Sequence, residues 1–180
     1  MLIADAQRNM RYAYFGGGPG VLASALVWLS AGLVALTNSA DASIMTLFIG
    51  GIFIHPAGLL MAKALRRPGA HDSGNPLGML ALEGTVLMLL CLPLVYGVSR
   101  AHLEWFFPAM LLVIGGRYLT FATIYGMRIY WACGSMLACA GFLLVMFRVP
   151  FAVGAFTGAA IEGVFAAWVF WTERKQRYGS

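Results

Sequence analysis

Residues 110–125 read MLLVIGGRYLTFATIY. Apart from Arg117, the stretch is apolar or weakly polar throughout and long enough to form most of a membrane span. A hydrophobic run of about 20 residues reads as a spanning helix. A permanent cation in its middle has to be explained by what it faces.

The rest of the chain repeats the pattern. Of 180 residues, 61% are hydrophobic and 11% charged, and the mean hydropathy is +0.80. Soluble domains run about 45–50% apolar and about 25% charged. Six such runs follow one another at 20–36, 44–65, 77–98, 105–125, 129–147 and 150–171. They use up the chain, so a single transmembrane domain over 1–180 is expected. Segments of this length predict an all-α bundle, because barrel strands would be about ten residues of alternating polarity.

The first fourteen residues, MLIADAQRNMRYAY, do not read as a cleavable signal. Asp5, Arg8 and Arg11 interrupt any apolar core, and no small-x-small cleavage pattern follows. A helix on the membrane surface is expected there, with a narrow apolar face of Ile3, Ala6 and Met10. The following FGGGPG, 15–20, is glycine-rich. It lacks the context of a phosphate loop and reads as a flexible entry to the first span.

The net charge of +5 is not read as a sign of nucleic acid, because the basic residues cluster in loops and tails. With the N-terminus cytoplasmic, that side holds Arg8, Arg11, Lys63, Arg66, Arg67, Arg128, Arg174, Lys175 and Arg177. The far side holds Arg100 and Arg148, and Arg117 lies within a span. Nine against two is a strong positive-inside bias. Both termini are expected to be cytoplasmic, in a bacterial inner membrane. The loop RRPGAHDSGNP, 66–76, is built of turn formers, and the link GMR makes spans four and five an antiparallel hairpin.

Four spans carry one ionisable side chain each: His55, Glu83, Arg117 and Glu162. Counted from the inner end of each span, Glu83, Arg117, Glu162 and His55 lie six, eight, nine and ten residues deep. At 1.5 Å per residue that is about 9 to 15 Å. The expectation is one buried charged layer in the inner half of the bilayer. Gly154, Gly158, Glu162 and Ala166 form a stripe spaced by four, and small residues there admit a neighbouring helix, so Glu162 should face protein. An unpaired arginine near the midplane costs about 2.5–3.5 kcal/mol on insertion scales. Pairing with Glu83 or Glu162 would remove much of that cost. Such a layer suits a small transporter or channel-like protein, proton-coupled through a spare carboxylate. An Arg–Glu pair that merely clamps helices in a scaffold or sensor is the other reading.

Pro56 follows His55 inside span two and is expected to break or kink the helix. LFIGGIFI (47–54) and LVIGGRYL (112–119) share Ile-Gly-Gly and hint at a repeat. Cys91, Cys133 and Cys139 sit within spans as packing residues, and His71-Asp72 reads as a solvated loop. Trp105, Phe106, Trp131, Trp168, Phe170 and Trp171 read as an aromatic belt. No Ser/His/Asp set, HExxH or paired-carboxylate pattern appears, so the chain is not expected to be an enzyme. No metal or cofactor spacing is present. The expected partners are the lipid bilayer, an unknown small solute or ion and, because six short spans leave little room for an internal pathway, a second copy in a homodimer.

GGGPGVLASALVWL (16–29), FIGGIFIHPAGLLMAKAL (48–65), NPLGMLAL (75–82) and GGRYLTFATIY (115–125) together resemble a family of bacterial six-helix membrane proteins catalogued only as a domain of unknown function. The resemblance covers about residues 16–147, the last helix matching least. It implies the six-helix fold and the membrane, and no activity. In that family a histidine often stands at the position of Arg117, with a proline near that of Thr120. This chain departs from both, so a shared ligand is not implied.

Overall fold

A computed structural model describes residues 1–178. The side chains of residues 176–180, Arg177 of the positive-inside count among them, lie outside the described residues. The described residues are helical apart from turns and links. A short helix α1, Ile3–Tyr14, precedes six long ones: α2, Gly18–Thr37; α3, Ala40–Ala64; α4, Leu77–Ala101; α5, Phe106–Tyr125; α6, Ile129–Met146; and α7, Phe151–Tyr178. The last six are long and apolar enough to cross a membrane, and they coincide closely with the six runs read from the sequence. α1 and the end of α7 meet on one face, the inner face, where Glu173 lies against Gly16.

The helices form two groups of three. α2 packs on α3 and α7, while α5 packs on α6 and α4. α7 joins the groups by touching α6 and α5. Close approach explains the strongest pairings. A Cβ at Gly115 would lie 2.8 Å from the Gly134 carbonyl oxygen, and one at Gly141 2.6 Å from that of Pro108, so α5 and α6 meet almost backbone to backbone. Gly58 of α3 rests on the backbone of Gly20 in α2. The two Ile-Gly-Gly segments divide labour alike. Gly50 and Gly115 meet a neighbouring helix, whereas Gly51 and Gly116 face open space.

The expected helix at the N-terminus is present, and Ala6, Met10 and Ala13 are its buried face. Ile3 is exposed. α1 closes the inner ends of other helices. Gln7 Nε2 donates to the Thr123 carbonyl at 2.8 Å, and Arg11 donates to the carbonyls of Tyr125 and Gly126. Asn75 Nδ2 donates to the Ala6 carbonyl and to Asn9 Oδ1. His71 shares a 2.7 Å hydrogen bond with the Tyr14 hydroxyl rather than lying free in the loop.

Three expectations need correction. Residues 15–17 are not a flexible entry: Phe15, Gly16 and Gly17 are buried with φ of 52°, 62° and 85°. These left-handed residues turn the chain from α1 into α2, and Tyr130 Oη fixes the corner by donating to the Gly16 carbonyl at 2.5 Å. Pro56 does not break α3, which continues through it to Ala64. Phe106 is not in an aromatic belt. It is 0% exposed and packs on Phe48 and Phe107, whereas Trp131, Trp168 and Trp171 are exposed as expected.

Candidate functional site

Glu162 marks the centre of the molecule. The glycine stripe brings α7 against its neighbours: a Cβ at Gly154 would lie 2.5 Å from Phe107 Cβ, and one at Gly158 2.6 Å from Trp28. Both glycines therefore serve packing inside one protomer. One turn further, Glu162 is 0% exposed. Ser24 and Trp28 of α2 and Tyr118 of α5 are the polar side chains turned toward it. Neither carboxylate oxygen has a hydrogen-bond partner among the described residues, and the Trp28 indole nitrogen is likewise unpartnered. Tyr118 stacks on Tyr130 with centroids 6.1 Å apart, which links this cluster to the corner at Gly16.

The four ionisable residues do not form one cluster: Arg117 and Glu162 are near enough for their charges to act on each other but not in contact, and His55 and Glu83 lie apart from both. Arg117 is half-buried and turns to α4. Its Nη2 donates to Thr85 Oγ1 at 3.0 Å, its Nη1 lies 3.3 Å from Met88 Sδ, and its carbon Cζ lies 5.5 Å from the centroid of the Phe121 ring. The expected Arg117–Glu83 or Arg117–Glu162 ion pair is not formed. Among the described residues the pairs within 4.0 Å are Arg8–Asp5, Arg100–Asp41 and His102–Glu104. Glu83 is exposed on the outward side of α4, beside Met79, Leu82, Leu87 and Leu90. His55 and Pro56 are exposed on α3. Equal depth placed these residues in one layer, but their helices turn them different ways.

Sequence reasoning missed Ser24, Trp28 and Tyr118. Ser24 and Trp28 are four residues apart and share a helix face, a spacing that was available. It missed Glu173 too, a second buried acid, which packs on Gly16 at the inner end of α7. Two shallow apolar grooves lie between α2 and α3, around Val27 and Phe53, and take in none of the Glu162 cluster.

Residues 3–172 match a family described as a family of unknown function, DUF7010. The chain belongs to that family. The match takes in the last helix, beyond the reach of the resemblance read from the sequence. No curated protein and no solved structure matches the chain. A multi-pass membrane protein is what the six apolar helices and the family together support.

Proposed function

We propose that this protein is a small proton-linked carrier of the bacterial inner membrane, with Glu162 as the proton-binding group. One observation carries the reading: a fully buried carboxylate, ringed by Ser24, Trp28 and Tyr118 and in no ion pair among the described residues, stands where the two groups of helices meet. A buried carboxylate with no cation in contact is costly to ionise, which favours a proton on it while the site is dry. When the two groups part and water enters, the same carboxylate can release what it holds. Ser24 and Tyr118 are the hydroxyls beside it and can donate to the ionised form. Sites between helix groups near the bilayer middle are common in transporters.

The clamp that would have favoured a pure scaffold lacks support, since Arg117 turns to Thr85 and Met88. A homodimer through the outward side of α4 belongs to the proposal. α4 buries the smallest share of its residues, and a charged residue facing lipid costs about 2.5–3.5 kcal/mol, a cost that a second copy over Glu83 would relieve. In a background without Cys91, Cys133 and Cys139, cysteines at Leu87 or Leu90 should cross-link two copies. If neither does, the dimer is not formed through this face.

The carrier reading is tested in proteoliposomes loaded with a pH dye. A pooled extract of small solutes is supplied outside under an imposed pH gradient. Wild-type vesicles should change internal pH faster than empty ones, and Glu162→Gln vesicles should behave as empty. Equal rates for wild-type and empty vesicles would end the reading, as would full activity of Glu162→Gln.

A further inference from the structure

α3 and α4 meet near their outer ends, where Phe48 of α3 lies 6.5 Å from Tyr96 of α4 and 5.5 Å from Phe106 of α5, centroid to centroid. Asp41 and Arg100 approach to 4.0 Å at the same end. Along the rest of their length α3 and α4 are not a packed pair. α1 packs on both at the inner end. A window is thus left between them at mid-depth, facing the hydrocarbon.

Helical phase says which side chains border it. Seven residues advance a helix by just under two turns and eleven by just over three, each within about 20° of the starting face. His55 is seven residues from Phe48, Arg117 eleven from Phe106, and Thr85 eleven from Tyr96. Each therefore lies on the flank of its helix that carries one of the three aromatic rings, about 10 to 16 Å inward of them. The 3.0 Å bond from Arg117 to Thr85 fits this placement.

Arg117 is a site short of a ligand. A guanidinium stays charged and offers five donors in a rigid fork. Here one donor meets a hydroxyl and one a thioether, a weak acceptor, while Nε is buried without a partner. No carboxylate is within ion-pair distance among the described residues. Besides Thr85, it contacts Met88 and the Phe121 ring. One guanidinium balances one negative charge and fits a carboxylate with two parallel bonds. A phosphate monoester carries about 1.5 to 2 charges and would stay underneutralised.

We infer that the window binds an amphiphilic monocarboxylate, such as a fatty acid, drawn from the bilayer. Its carboxylate lies on Arg117, His55 supplies a further hydrogen bond, and its chain runs out between α3 and α4. Arg117 and Glu162 act on each other's charge without touching, but the ligand contacts Arg117 and not Glu162, and it binds whether or not the protein moves protons.

The test is the thermal midpoint of the purified protein in a non-ionic detergent with laurate, with dodecanol at the same mole fraction, or with acetate. Laurate should raise the midpoint of the wild-type protein while dodecanol and acetate do not. Arg117→Gln should abolish the shift, and Thr85→Val and His55→Gln should shrink it. An equal shift with dodecanol would reduce the window to an apolar groove. An equal shift with acetate would make it a site for soluble anions, and an unchanged laurate shift in Arg117→Gln would remove the arginine from it. Any of these overturns the proposal. Should Arg117→Gln fail to fold, the three ligands on the wild-type protein and on Thr85→Val still decide.

Discussion

Gly158 of α7 lies directly against Trp28 of α2, so close that a Cβ at 158 would come within 2.6 Å of the indole. Trp28 is fully buried and has no room to withdraw. Gly158→Ala should therefore cost about 1–3 kcal/mol, the usual penalty of overpacking a filled site. Gly163, on the same helix, faces open space. Gly163→Ala should gain up to about 1 kcal/mol from helix propensity. Thermal unfolding in mild detergent reads both, and equal effects would mean that α7 does not press on α2 at Gly158.

Arg11 should matter far more than Arg8. Arg11 donates to two carbonyls at the inner end of α5, with distances of 2.7 to 3.1 Å. Hydrogen bonds from a charged donor are worth about 1.5–3 kcal/mol, and Arg11→Gln forfeits most of that. Arg8 pairs with Asp5 on the surface, where such pairs are worth about 0–1 kcal/mol. The comparison is a melting curve for each variant. Equal losses would mean that α1 is not docked through Arg11.

At the corner between α1 and α2, Gly17→Ala should be worse than Tyr130→Phe. The alanine meets a φ of +85°, the Tyr130 hydroxyl at 2.6 Å and the Tyr125 ring at 2.7 Å. Backbone strain alone costs about 1–3 kcal/mol. Tyr130→Phe removes one hydrogen bond to the Gly16 carbonyl, worth about 1 kcal/mol net. If Gly17→Ala melts with the wild type, the corner is looser than these contacts require.

How much of this was legible depends on what each helix shows. The six spans were plain because length and apolarity alone define them. Depth was also readable, since it follows from counting. Direction was not. A span that is apolar on every side gives periodicity nothing to mark. Glycines also stand near His55 and Arg117 and suggested packed faces, yet His55 is exposed; the stripe of glycines and alanine at Glu162 was the one that marked a buried side chain. Glu83 had no such stripe and faces outward. The glycines of FGGGPG suggested freedom, yet they supply left-handed backbone, and Tyr130, which locks them, comes more than a hundred residues later. Arg117 was judged by the charges at its depth, whereas its partners are a hydroxyl and a thioether that no charge count includes.

That last difference gives the most direct test of the arrangement. Arg117 contacts Thr85 at 3.0 Å and forms no ion pair with Glu83. A double-mutant cycle separates the two relationships. Arg117→Gln with Thr85→Val should show a coupling of about 0.5–3 kcal/mol, as contacting residues do, whereas Arg117→Gln with Glu83→Gln should be additive within about 0.5 kcal/mol. Thermal unfolding of the three single and two double variants measures both. Coupling to Glu83 instead would put the arginine on the outward side of α4, with the window between α3 and α4 losing its cation. Coupling to Thr85 alone keeps the cation in the window, with no protein carboxylate among the described residues in ion-pair contact with it.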